Sequence, residues 1–194
     1  MTVTTARASG RPRSGDVTER VVRAAREAFV AKGFAAVTMS EIAASAGVGL
    51  DSIYRRWPSK PALLVDLVAH AFTADVSVPD TGTVVEDLRV LMHALVRAVQ
   101  SDLGGLLALA VAEAAQDADL AERLARAQDV RRQTTVVVVE RAVARGELPP
   151  GSDGRLLLDT LAGLVWQRAW LTRAPLTDAE LEATVAALVT GYRS

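Results

Sequence analysis

Apolar residues return every three to four positions along most of this chain, and the breaks in that rhythm fall at residues that start or stop helices. Asp16, with Glu19 three residues later, predicts a capped helix start. Val21, Ala25, Ala28 and Phe29 then share one face, and Gly33 closes the helix. Thr38 and Glu41 form a second capping pair ahead of a short helix, Ser40 to Ala46. Gly47 breaks it, Val48 is the apolar residue of the turn, and a third short helix runs from about Leu50 to Arg56. Pro58 stops that helix, because the residue before a proline avoids helical backbone. Ser59 caps a fourth, with Pro61 in its first turn, running to about Phe72. Residues 74–83, with Pro79 and Gly82, read as a linker.

Beyond the linker, long helical patterns lie near 84–101, 103–115, 118–145, 153–173 and 177–192. Asp153 is placed to cap the fourth of these, and Thr177 with Glu180 the last. The β-branched run Thr134 to Val139 has the composition of a strand. No second strand exists to pair with it and its flanks favour helix, so it reads as a helix buried on all sides. The fold class is all-α. About nine helices are expected, three of them an N-terminal motif domain and most of the rest a larger C-terminal domain.

Composition sharpens this picture. Half of the 194 residues are hydrophobic and only 4% aromatic, so the core is built from Ala, Val and Leu. There is no cysteine, which removes disulfides and thiol chemistry. The start of the chain has no signal-like apolar run, and no stretch approaches the ~20 apolar residues of a membrane helix. A cytoplasmic location without membrane association is the expectation. The net charge of −1 hides a split: residues 1–60 carry ten basic against five acidic side chains, and the remainder twelve against eighteen. An anionic partner for the first third alone accounts for that asymmetry. Residues 1–15, with Arg7, Arg11 and Arg13, read as a disordered basic arm, either simply solvated or following a DNA groove.

The informative segment is Thr38 to Lys60. Two short helices joined by a glycine-containing turn are the signature of a helix-turn-helix. Ala43 is small where the two helices cross, and Gly47 supplies the turn. Ile42, Val48 and Ile53 are expected to bury between them. The outer face then presents Asp51, Ser52, Tyr54, Arg55 and Arg56, with Lys60 just beyond, as partners for phosphates and base edges.

Residues 16–72 resemble the DNA-binding domain of the TetR family of bacterial regulators. The matching pieces are Ala28-Phe29, Lys32-Gly33-Phe34, Val37-Thr38, Ile42-Ala43, Ala46-Gly47-Val48 and Ile53-Tyr54-Arg55-Arg56-Trp57-Pro58-Ser59-Lys60. The resemblance implies phosphate contacts from Thr38 and Ser40, and base-facing positions for Leu50, Asp51 and Ser52. It implies phosphate clamps at Tyr54 and Lys60, a further DNA contact at Arg56, and a core role for Trp57 where the family usually has Phe. Two residues depart from the pattern. Gly49 stands where Ser or Thr would cap the recognition helix. Asp51 puts a carboxylate in the groove, either accepting from a cytosine amino group or serving the helix N-terminus.

For residues 73–194 the resemblance implies only an organisation: a ligand cavity among the first three helices, and a four-helix dimer interface from the eighth and ninth helices, near 153–173 and 177–192. A homodimer places two recognition helices roughly 34–36 Å apart on a near-palindromic double-stranded operator. Phe72, Met92, Leu106, Leu107, Val111, Trp166 and Trp170 are candidate pocket residues for an unidentified small apolar or aromatic effector, with ordinary core or dimer packing as the alternative reading. Few buried charges are apparent, which is why an apolar or aromatic ligand is expected. His70 and His93 lack ligand spacing, no Ser-His-Asp order is visible and Gly47-Val-Gly49 lacks the third glycine of a nucleotide loop, so no metal, catalytic residue or cofactor is expected. The rival readings are a DNA-binding dimer without a ligand and a small-molecule carrier.

Overall fold

The computed structural model describes residues 14–73 and 77–193. All regular structure among them is helical. The expected basic arm lies outside the described residues except for Ser14 and Gly15, which already belong to the first helix. That helix, α1 (Ser14–Lys32), begins two residues before Asp16, so Asp16 sits inside the first turn, not ahead of it. It ends as expected, at Gly33 with φ +80°.

Next come α2 (Met39–Ala46), α3 (Leu50–Tyr54) and α4 (Lys60–Thr73). Packing divides the chain into two compact units, one ending at Leu63 and the other starting at Leu64, so the division falls inside α4. In the N-terminal unit, Val21, Ala25 and Phe29 of α1, Ile42 of α2, Ile53 of α3 and Trp57 are all buried. Phe34 tilts its ring onto Phe29 at 5.2 Å.

The C-terminal unit contains α5 (Val84–Gln100), α6 (Asp102–Ala114), α7 (Ala118–Thr135), α8 (Val137–Ala144), α9 (Gly154–Trp166) and α10 (Asp178–Arg193). Between α9 and α10 a π-helical stretch, Gln167–Thr172, ends at Arg173, which takes a left-handed φ of 49°. Helix α5 is central and packs against α6, α8, α9 and α10. Leu88 and Leu95 of α5, Leu107 of α6, Leu157 and Leu161 of α9 and Leu181 of α10 are fully buried. Helices α5 and α6 meet at 80°. Ser101 makes that corner, donating its hydroxyl to Ala98 O (2.7 Å) and accepting from Leu103 N (3.3 Å). A Cβ on Gly104 would lie 1.8 Å from Val99 O, so the corner closes only over glycine.

The β-branched run is helical but not continuous. Thr134 and Thr135 donate their hydroxyls to the carbonyls of Val130 and Arg131, both at 3.1 Å. Such back-bonding bends helices, and the break between α7 and α8 falls at Val136. A buried charge, not evident from the sequence, is also present. Asp87 is fully buried and accepts from Thr81 N (2.7 Å) and Thr81 Oγ1 (2.8 Å), with Arg145 Nη2 3.5 Å away. Glu147 accepts from Val84 N at 2.8 Å. These contacts tie the segment before α5 to the end of α8.

Candidate nucleic-acid interface and ligand cavity

The helix-turn-helix is built by short-range chemistry. Thr38 accepts from Glu41 N (3.2 Å), and Glu41 returns the bond by accepting from Thr38 N (2.8 Å). Lys32 reaches the same carboxylate at 3.1 Å. The Thr38 backbone N–H, foremost, and then Lys32 hold the Glu41 carboxyl below its usual value of 4.5. Gly47 adopts φ 64°, ψ 41°, the left-handed turn that L side chains resist. The chain then re-enters α3 with Gly49 as N-cap and no side-chain cap. Asp51 lies in the first turn of α3, where its charge offsets the uncapped N–H groups.

Ile42, Ala43 and Ile53 are buried where α2 and α3 cross, whereas Val48 is only half-buried. Trp57 is 1% exposed and anchors the end of the motif. This fixes the outer face of α3. Leu50, Asp51, Tyr54, Arg55 and Arg56 are exposed, and Ser52 is half-buried. Leu50 and Tyr54 are among the exposed large hydrophobic residues, at 37% and 46%, a cost that an isolated domain gains nothing from. Thr38 and Ser40 are exposed at the start of α2.

Lys60 is placed differently from the phosphate clamp that the family pattern implies. Its ammonium group donates to Phe34 O (2.7 Å), Val37 O (2.8 Å) and Ala35 O (3.3 Å). It also sits 4.6 Å from the Phe34 ring centroid. An ammonium has three N–H donors, and all three have a carbonyl partner here. The side chain is a latch that holds the α1–α2 connection against the start of α4.

In the C-terminal unit a cavity of about 270 Å³ lies among α5, α7 and α9. Met92 and Trp166, two of the expected pocket residues, line it, beside Leu91, Leu95, Leu158 and Ala162. The other five have other places. Leu106 and Leu107 are buried in the core, Val111 is 39% exposed, and Phe72 is buried at the end of α4. Trp170 stacks on Trp166 at 5.6 Å between ring centroids. Polar residues line the cavity too: Gln128, Arg131, Arg132 and Thr135 of α7 and Asp159 of α9. Nothing in the sequence pattern marks them, because α7 is largely polar and α9 only reaches it through the fold. No group of three or more metal-binding side chains occurs among the described residues.

Two family models match the chain. The tetR family of bacterial regulatory proteins matches residues 21–67, and the tetracyclin repressor-like C-terminal domain matches residues 78–188. The HTH-type transcriptional regulator AqdR of Rhodococcus erythropolis is 34% identical over 149 residues, 76% of this chain and 71% of that protein. The HTH-type transcriptional regulator YdeS of Bacillus subtilis is 30% identical over 170 residues, 87% of this chain and 86% of that one. Among solved structures, the TetR family transcription regulator SCO0332 superposes with a TM-score of 0.79 at 31% identity, covering 91% of this chain and 98% of that one. An exposed recognition-helix face on a capped helix-turn-helix, both halves of the family pattern and relatives that regulate transcription lead to one conclusion: the chain belongs to the TetR family of DNA-binding transcriptional regulators and is not an enzyme.

Proposed function

We propose that the chain is a homodimeric repressor that grips a near-palindromic operator through α3 and releases it when a small molecule fills the cavity of the C-terminal unit. The observation that carries this reading is the cavity itself: a DNA-binding dimer without an effector needs no hollow in its larger unit. At about 270 Å³ the space is near the lower end of small-molecule pockets. Base edges fall to Leu50, Asp51 and Ser52, and phosphates to Thr38, Ser40, Tyr54, Arg55 and Arg56. Lys60 acts indirectly, by holding its unit in shape.

The dimer forms through α9 and α10. Supporting this, Leu156 and Thr160 of α9, and Ala179, Ala183 and Ala187 of α10, are exposed at helical spacing. Leu156 is 58% exposed, an apolar burden that a partner copy removes. Helix α4 is the covalent link between reading head and cavity unit, so ligand and operator compete through it, and the coupling is reciprocal. No single helix among the described residues is long and apolar enough to cross a membrane. An operator-binding protein of this kind works in the cytoplasm.

The test is fluorescence anisotropy of the purified protein on labelled DNA from upstream of its own gene, at about 50 and 200 mM salt. Site-specific binding that weakens by about a hundredfold or more between them is expected, because several phosphates are neutralised. Absence of binding at low salt, both to that DNA and to a random-sequence pool, overturns the reading.

A further inference from the structure

We propose that the effector is an amphipathic anion, an apolar body carrying one carboxylate or equivalent group, and that Arg131 is the residue that binds the charge. This deepens the proposed ligand reading and rests on it. The cavity's apolar lining (Leu91, Met92, Leu95, Leu158, Trp166) suits the body of such a molecule. Its charged lining is two cations, Arg131 and Arg132, against one carboxylate, Asp159. Arg132 and Asp159 satisfy each other, Nε to Oδ1 at 2.8 Å, and Arg132 also reaches Asp129 at 3.2 Å. Arg132 thus engages both carboxylates, and Arg131 is left without a carboxylate partner among the described residues.

Arg131 makes no ion pair or side-chain hydrogen bond with the described residues. The ring centroid of Phe72 lies 5.4 Å from its guanidinium carbon. Arg131 is half-buried, and that burial pushes its pKa below the usual arginine value with no carboxylate to offset it. A guanidinium does not lose its proton in a protein, so the charge stays and an anion entering the cavity gains a charge-assisted, bidentate partner. The indole N–H of Trp166, another lining residue, is buried and has no hydrogen-bond acceptor among the described residues. The π-helical stretch begins at the next residue; such insertions in helices often accompany functional sites. The Arg131 guanidinium is a donor that suits a ligand rich in acceptor oxygens.

Arg131 lines the cavity, and its guanidinium lies over Phe72, in the last turn of α4. Recruitment of Arg131 by an anion alters the packing of that helix end directly.

The experiment uses the full chain and two probes of equal chain length, the anionic decanoate and the neutral decanol, at neutral pH. Binding is read by displacement of the fluorescent aromatic anion 1-anilinonaphthalene-8-sulfonate and by calorimetry. Decanoate is expected to bind about tenfold or more tightly than decanol. In Arg131→Gln, which keeps most of the side chain's bulk, that preference shrinks to about threefold or less while decanol binding is retained. Decanoate, and not decanol, also lowers operator affinity in the wild-type chain. Equal binding of the two probes to the wild type, or an anion preference that survives Arg131→Gln, overturns the anion assignment and leaves the cavity reading standing. If neither probe binds the wild type, and Ala162→Trp, which fills the cavity, leaves the fluorescent anion's binding unchanged, then the cavity reading fails and the inference with it.

Discussion

The two units hold their working parts by different means. In the reading head, the parts that matter are adjacent in sequence: Thr38 with Glu41, Gly47 with the turn it makes, Ile53 and Trp57 at the two ends of one short segment. In the C-terminal unit the working parts come from far apart. Arg131 meets Phe72, and Asp87 meets Arg145, although each pair is far apart in the sequence. A DNA-reading surface must be rigid and repeatable, and local capping with a small dense core provides that. The sensing role proposed for the C-terminal unit needs space left unfilled and a charge left without a carboxylate partner, which only opposing helices can arrange.

The comparison can be broken most directly at Trp57. Trp57→Ala removes a fully buried side chain from the small unit, a loss of about 3–5 kcal/mol. Operator binding is expected to vanish while the far-ultraviolet helicity of the C-terminal unit largely persists; loss of both in one cooperative melt would show the units to be equally dependent on each other. Next in size is Lys60→Ala, which strips three carbonyl partners from the α1–α2 connection. About 2 kcal/mol of stability should be lost, by analogy with hydrogen bonds to charged groups, with the salt slope of DNA binding unchanged in whatever protein stays folded. A slope smaller by about one would instead mark Lys60 as a phosphate contact. Gly104→Ala probes the other unit, where the new Cβ meets Val99 O. Overpacking there should cost about 1–3 kcal/mol and lower the melting temperature without moving operator specificity. Thr38→Ala removes the cap of α2 and should cost about 1 kcal/mol.

The smallest effect is on pH. Glu41 in the reading head and Glu180 in the C-terminal unit sit in equivalent capping boxes, and both carboxyls are held below their usual 4.5, chiefly by the backbone N–H of Thr38 and of Thr177. A carboxyl whose folded pKa is depressed adds stability that is fully present above its unfolded pKa and lost as pH falls through the folded one. Both helix starts should therefore loosen only on acidification below about 4.5. Nuclear magnetic resonance of the Glu41 and Glu180 amides through an acid titration reads this; midpoints above 4.5 would remove the capping account.

Much of the fold was legible because helix ends are local events. Thr38, Ser59, Asp153 and Thr177 lie ahead of the helices they were expected to start, and Asp153 accepts from Leu156 N at 3.0 Å. The breaks at Val136 and after Trp166 were not legible. Nothing in the periodicity distinguishes a continuous helix from one bent by threonine back-bonding or one carrying an extra residue per turn. Of the expected pocket residues, Met92 and Trp166 line the cavity, while Leu106 and Leu107 fill core. An apolar side chain at helical spacing has the same signature in both places, and only the opposing helix decides whether space remains beside it.

The amino-acid sequence alone determined the helical class, the family, the position of the DNA-reading motif and the residues on its outer face, since capping, glycine turns and one-sided hydrophobicity act within a few positions. Tertiary structure alone decided where Lys60 sends its ammonium group, that Asp87 is buried with Thr81 and Arg145 as its partners, and that Arg131 stands at a cavity wall with its charge unmatched among the described residues. Those outcomes depend on which distant groups arrive within bonding distance, and a periodic pattern of apolar residues carries no record of that.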